Sequence, residues 1–538
     1  MVKRVHFRSP NRAVGARVSW ASTSLIRASS SQANANDKGH HLKDFRSSLL
    51  QVLTERGDEP ALVIRDSRIS FSELEESSRE IGAALRERWS QQTEPHLPLL
   101  VDNSVDSYLA VFSCLSHRIP FALIDGFAPE SRIQSILKLL QQVSRPWVGP
   151  EVQRTSASVG DSPPQHDGSE KNLTSRPTFI ITTSGSTGQP KGVELSFDTQ
   201  YERAKIDLEM REASPHVTNS FSPLHFIGGL SRLSRVFFGH TLHVIDPTAL
   251  SVRQILRYLE LSNINVLHLP PQLARVLAHY SNPDNVRLPS VKLVRMGSEG
   301  IRFETLQGLR KYLDDDVIVR HSLGATEGMR SFVNLFRLGD SEDEGLVPIG
   351  QPTDRTLLVP VPSLGPDFFE VYTGEPIAEG YINNVKLTEE RFVTIDGARF
   401  WRSGDHVRKV SPELYFHAGR SDDIVKVRGI LASPSETTAV VMAIDGVRNA
   451  ITLPFELEGN VRLVSHVELA ENSSLTSDYM RSVAATKLPA HLVPQKVFIH
   501  RKLPVNVRGK IDREALKAFA HDALSPRNSG NSAGEFRK

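Results

Sequence analysis

Hydrophobic and polar positions alternate between two patterns across residues 240–325. "TLHVID", "INVLHL", "VKLVRMG" and "DVIVRHSLG" are short apolar runs rich in β-branched residues, and each predicts a strand. Between them "VRQILRYLELS", "QLARVLAHY" and "FETLQGLRKYL" repeat apolar residues at helical spacing. Strands separated by helices predict βαβ units and a largely parallel sheet. Earlier, "SFSELEE" predicts a helix start: Ser72 can cap and Glu75 can reach back, with Leu74, Ile81 and Leu85 on one face. Residues 151–176 are polar and rich in Ser, Gly and Pro, and predict a loop. The following "TFII" predicts a buried strand.

After about Gly419 the pattern changes. "DIVKVRG", "NAITLPF", "VRLVSHVEL" and "KVFIHRKLP" predict strands, and "SPSETTAVVMAI" and "SDYMRSVAATKL" helices. The expected organisation is therefore a large α/β domain of mostly parallel sheets flanked by helices (residues 42–421) and a small, mobile α+β domain (422–524). A basic tail (1–41) precedes them and a polar tail (525–538) follows.

The bulk numbers exclude several classes. With 538 residues the chain should form more than one domain. Lys and Arg total 64 against 62 Asp and Glu, so nothing asks for a nucleic-acid partner or an anionic membrane. The one cysteine, Cys114 in "YLAVFSCLS", allows no internal disulfide and reads as a core residue. No apolar run is long enough for a membrane span. Residues 1–36 lack Asp and Glu and carry Arg, Lys and Ser. They read as a disordered tail or as an organelle transit peptide, so the expected location is cytoplasmic, or an organelle matrix in the second case.

Candidate chemistry starts at "TTSGSTGQPKG", Thr182 to Gly192. Glycines after a strand free backbone N–H groups for an anion, hydroxyls add donors, and a lysine adds a point charge suited to phosphate. The Walker pattern is absent, because Pro190, Lys191 and Gly192 stand where it requires GK[ST]. "GSEG" and "GATEG" fall at the carboxyl ends of other predicted strands, where ligands of parallel sheets sit. The three turns are expected to converge at one sheet edge.

"TTSGSTGQPKGVELS" resembles the signature loop of the adenylate-forming superfamily. "SLGATEG", "EPIAEGYINNVKLTEERF", "WRSGDHVRK", "GRSDDIVKVRGILASPSE" and "LPVNVRGKIDREAL" resemble further segments of that family in the same order, over Thr178 to Leu516. The resemblance implies ATP-dependent activation of a carboxylic acid as acyl-AMP, followed by transfer to a thiol. Thr183, Ser184, Gly185, Ser186, Thr187, Gly188 and Lys191 would cradle the phosphates, and Gly297, Ser298, Glu299 and Gly324 would line the nucleotide site. Thr326 would contact the α-phosphate and Glu327 would hold Mg²⁺. Asp405 would accept both ribose hydroxyls, Arg420 would reach ribose or phosphate, Asp422 would be the hinge, and Lys510 the catalytic lysine.

Two departures stand out. Leu323 occupies a position that is usually aromatic and stacks on adenine. In "PLHFIGGLSRL", His225 and Phe226 are exchanged relative to the family's order, next to Gly228 near the acyl pocket. The same segment has no acid to hold an amino group, which favours a plain carboxylic acid. The acceptor thiol is read as CoA. Loading of the phosphopantetheine of a separate carrier protein is the alternative, and a non-catalytic nucleotide-binding relative is a further one.

Overall fold

The computed structural model describes residues 44–141, 146–148, 177–184, 190–209, 216–297, 299–341, 345–421, 425–427, 430–432, 434–457, 460–470, 473–488, 490–505 and 511–524. The predicted alternation appears as strands Thr241–Val244, Val266–His268, Leu293–Gly297 and Ile318–Gly324, separated by helices Val252–Leu261, Pro271–His279 and Phe303–Leu309. These four strands pair in parallel with Val217–Ser220 and Pro60–Ile64 at the centre of a nine-stranded sheet. Antiparallel strands close its edges: Ser67–Ser70 on one side, Arg330–Arg337 and then Gln351–Pro352 on the other. Ile255, Leu256, Leu259, Leu277 and Leu306 from the three helices pack with Val294 and Met296 of the sheet. That burial explains the continuous apolar runs in the sequence.

"TFII" begins the strand Thr178–Ser184, but this strand belongs to a second, six-stranded sheet. It lies parallel to Phe121–Asp125 and antiparallel to Pro190–Ser196. The three Gly-rich turns therefore come from two sheets, which corrects the single sheet edge expected above. Sequence order shows that a strand exists and does not show which sheet receives it.

One core joins the two sheets. Leu62 and Leu242 of the first meet Leu99, Phe121 and Phe179 of the second around the helix Val105–His117. Most of this helix is buried, Ser107, Ser113 and Ser116 together with its apolar residues. Cys114 sits in it with no exposed surface, and burial pushes its thiol pKa up.

The helix predicted at "SFSELEE" runs over Phe71–Gln91, with Leu74 and Leu85 buried and Ile81 packed against the same core. Its cap is Ser70, not Ser72. The Ser70 hydroxyl accepts from Glu73 N at 3.2 Å, and Glu73 Oε2 accepts from Ser70 N at 2.8 Å. Two overlapping S-x-x-E frames compete here, and the fully buried Phe71 selects the earlier one. Glu75 pairs with Arg46 and Arg79 instead.

A third sheet is antiparallel and five-stranded. It contains Thr356–Pro360, Phe368–Gly374, Phe392–Ile395, Ala398–Ser411 and Leu414–Arg420. Beyond it, Val447–Leu457, Asn460–Leu469 and Lys496–His500 form a three-stranded sheet accompanied by helices Pro434–Met442, Ser477–Lys487 and Arg513–Leu524. Among the described residues, no helix is long and apolar enough to cross a membrane.

Candidate nucleotide site

Thr178–Ser184 and Pro190–Ser196 form the two arms of a hairpin, in register from Thr178 opposite Ser196 to Ser184 opposite Pro190. Thr183 is half-buried opposite Lys191, and its hydroxyl donates to Lys191 O at 3.5 Å. The backbone of Ser184 ends the first arm. Its side chain, with Gly185, Ser186, Thr187 and Gly188, lies outside the described residues. The next described element after the Gly-rich segment is the strand Pro190–Ser196, and the helix Phe197–Glu209 begins only beyond it.

The turn carrying Thr326 and Glu327 links Ile318–Gly324 to Arg330–Arg337 in the first sheet. Gly297 lies next to it, on the neighbouring parallel strand, opposite Ser322. A Cβ on Gly297 would stand 2.7 Å from Ser322 O, so only glycine allows this approach. Ser298 lies outside the described residues. Glu299 is paired with Arg275 at 3.1 Å, and its carbonyl is 3.4 Å from His321 Nε2. Gly324 faces solvent at the strand end, where the register with Arg330 slips. Leu323 packs against the cluster of Phe332, Ile349, Val371, Val407 and Tyr415.

Glu327 is where the two sheets meet. The Tyr381 hydroxyl donates to Glu327 Oε1 at 2.9 Å. Tyr381 belongs to Gly380–Tyr381, which pairs with the second hairpin arm, and Lys191 Nζ lies 6.0 Å from the Tyr381 ring centroid. Trp401 Nε1 donates to the Tyr381 hydroxyl at 3.3 Å. Burial and the Glu327 carboxylate push the Tyr381 pKa up, so the phenol stays a protonated donor. The Glu327 carbonyl accepts from Ala378 N and Arg203 Nη2, both at 2.8 Å. A half-buried carboxylate with one oxygen engaged by a neutral donor fits a hard divalent cation on the other.

Asp405 is 8% exposed in the strand Ala398–Ser411, beside Leu414–Arg420. His417 Nε2 donates to Asp405 Oδ1 at 3.2 Å and Arg420 Nη1 to the same oxygen at 3.3 Å. Burial alone would raise the Asp405 pKa; His417, Arg420 and Ser403 outweigh it, and the net direction is down.

His225 is buried, with Nε2 3.8 Å from Asp125 Oδ2, and its ring lies 4.1 Å from that of Phe226. Phe226 caps the short helix Ile227–Leu233, and a Cβ on Gly228 would meet Arg232 and Ser222 at 3.0 and 3.1 Å. Asp125 ends a strand of the second sheet. The absence of an acid from "PLHFIGGLSRL" therefore does not extend to its surroundings. Asp422 and Lys510 lie outside the described residues.

Four residues beside these were not read from the sequence: Arg203, Tyr381, His417 and Asp125. Tyr381 lay inside a recognised segment without an assigned role. Arg203 and Asp125 carry no local signal, because their partners are distant in the chain; His417 reaches Asp405 only across the pairing of adjacent strands.

The AMP-binding enzyme family pattern matches residues 50–362. Bacitracin synthase 2 of Bacillus licheniformis is 25% identical over 523 residues, covering 90% of this chain. The chain spans only 19% of that relative's length. Among solved structures, the anthranilate CoA ligase AuaEII superposes with a TM-score of 0.73 at 18% identity, covering 89% of this chain and 98% of that one. The o-succinylbenzoate coenzyme A synthetase of Bacillus subtilis, in complex with ATP and magnesium, gives 0.70 at 18% identity, covering 87% and 99%. At such identities these two structures establish the fold.

Proposed function

The chain belongs to the AMP-binding enzymes, the adenylate-forming superfamily, and on that premise we propose that it is an AMP-forming acid–thiol ligase. A substrate carboxylate attacks the α-phosphate of ATP, giving acyl-AMP and pyrophosphate. A thiol then attacks the acyl carbon, giving a thioester and AMP. The observation that carries this reading is the meeting of Glu327 with Tyr381, which joins the acidic turn of one sheet to the hairpin of the other.

In this reading Lys191 and the hairpin hold the phosphates, Thr326 contacts the α-phosphate, and Asp405 with Arg420 holds the ribose. Glu327 would hold Mg²⁺, which supplies charge neutralisation at the phosphates when bound. His225, Phe226 and Gly228 border the acid. Asp422 is the hinge between residues 42–421 and 422–524, and Lys510 is delivered from the smaller part during adenylation. A positive charge about 4 Å from the α-phosphate, at an effective dielectric near 20, is worth roughly 4 kcal/mol. Lys510→Ala should therefore slow acyl-AMP formation about a thousandfold, yet still convert supplied acyl-AMP and thiol to thioester. Equal loss in both half-reactions would contradict the assignment.

CoA is the acceptor we favour, in line with the CoA ligases that share the fold. The similarity to a peptide synthase supports the second reading, transfer to a carrier protein. Incubation of purified enzyme and a panel of acids, amino acids included, with CoA or holo carrier protein separates the two. Thioester on the carrier alone would exclude CoA.

A further inference from the structure

Arg203 lies on the helix Phe197–Glu209, which continues directly from the second hairpin arm. It is 6% exposed. Buried guanidinium groups are ordinarily matched to carboxylates. This one spreads its fork over three backbone carbonyls instead. Nε donates to Pro376 O at 3.0 Å, Nη1 to Thr326 O at 2.9 Å and Nη2 to Glu327 O at 2.8 Å.

The carbonyls come from two places. Thr326 and Glu327 form the acidic turn of the first sheet, and Pro376 lies on the approach to Gly380–Tyr381 of the second. Tyr381 holds the Glu327 carboxylate from the other side. The turn is thus gripped at its backbone by a cation and at its side chain by a phenol. Burial pushes the Arg203 pKa down to about 10, opposed by Glu327, Glu375 and Glu379, so the group is charged at neutral pH. Only a planar fork reaches three carbonyls; an ammonium is a point donor and cannot span them.

We propose that Arg203 is the positioning residue that sets the Thr326–Glu327 turn for its divalent cation. By fixing both carbonyls it fixes where the Glu327 carboxylate stands, and Tyr381 then leaves one oxygen of that carboxylate for the metal. Because Arg203 sits on the helix that extends the phosphate hairpin, it also ties the cation's ligand to the strand carrying Lys191. The inference rests on Glu327 being the metal ligand of the proposed reaction.

The test uses the full chain with Mn²⁺ as the spin probe and a non-hydrolysable ATP analogue. Outer partners of a metal ligand are worth about ten- to a hundredfold in metal affinity. Arg203→Met should weaken Mn²⁺ binding by about that factor. It should also speed hydrogen exchange in the 324–329 segment and lower metal-free nucleotide affinity by a smaller factor, through the displaced Thr326 alone. Arg203→Lys should recover part of the Mn²⁺ affinity. Wild-type Mn²⁺ affinity in Arg203→Met overturns the inference, and so does an equal loss of metal-free nucleotide affinity, which would mark a merely structural role. Should Arg203→Met not fold, Arg203→Lys decides: a loss of Mn²⁺ affinity that exceeds any loss of metal-free nucleotide affinity supports the inference, and wild-type Mn²⁺ affinity or an equal loss of both overturns it. Glu327→Gln separates the levels. Full Mn²⁺ affinity there would remove Glu327 as the ligand, whereas its loss beside an unaffected Arg203→Met would defeat the Arg203 inference alone.

Discussion

Asp405 and Glu327 are both acids of recognised segments, yet the fold treats their charges in opposite ways. Asp405 is buried, and an imidazole and a guanidinium of the adjacent strand donate to its Oδ1. Its charge is met from within, which suits a ligand that brings neutral hydroxyl donors. Glu327 is half-buried, and its carboxylate receives a phenol. The guanidinium beside it, Arg203, is spent on backbone carbonyls. The charge of Glu327 is left to be met from outside, which suits a cation. Two carboxylates of nearly equal chemistry are thus suited to different partners, hydroxyls for one and a cation for the other, by what donates to them.

The largest expected effect tests the outward-facing charge. Glu327→Gln should lower pyrophosphate exchange at limiting Mg²⁺ by about a thousandfold, the equivalent of roughly 4 kcal/mol. The comparison breaks if Asp405→Asn shows the same metal dependence.

Asp405→Asn should instead raise the KM for ATP by about ten- to a hundredfold, since a charge-assisted hydrogen bond contributes ~1.5–3 kcal/mol. It also has a stability signature. The Asp405 pKa is held below the ordinary value of 3.8, so the unfolded chain binds the proton more readily. Its contribution is complete above that value and is lost as pH falls through the lower, folded one. Melting temperatures taken from pH 7 downward should fall in that window for wild type and less steeply for Asp405→Asn.

His417 and Arg420 have side chains 35% and 39% exposed, so solvent screens each contact. His417→Leu should therefore raise the KM for ATP only about fivefold, with kcat retained. A fall in kcat alone would place His417 elsewhere.

Tyr381→Phe keeps the ring against Phe392 and removes the charge-assisted hydrogen bond to Glu327, ~1.5–3 kcal/mol, with the one accepted from Trp401. Because Arg203 and Ala378 still hold the Glu327 backbone, only part of this reaches metal binding. The half-saturating Mg²⁺ concentration should rise a few-fold. An unchanged value would mean that the phenol does not orient Glu327.

How much of this was legible depended on where each residue finds its partners. The alternation from Thr241 to Gly324 was readable because buried parallel strands are continuous apolar runs. The third sheet was not, because strands such as Thr356–Pro360 and Phe392–Ile395 are only half-buried and their pattern is weak. The cap at Ser70 was missed because two frames satisfy the same rule and tertiary burial of Phe71 decides. The acids at 327 and 405 were visible as motif members, but not what donates to them. Arg203 finds its carbonyls 123 and 124 positions away, and no local pattern encodes that.

The enclosed Cys114 makes the chain a reporter of its own opening. It is the only thiol and belongs to the core shared by the two large sheets. Fraying at a surface element leaves it covered; a reagent reaches it only when that shared core parts. The rate of thiol labelling in the native protein therefore times the separation of the two sheets, and nucleotide or metal that bridges them should slow the clock.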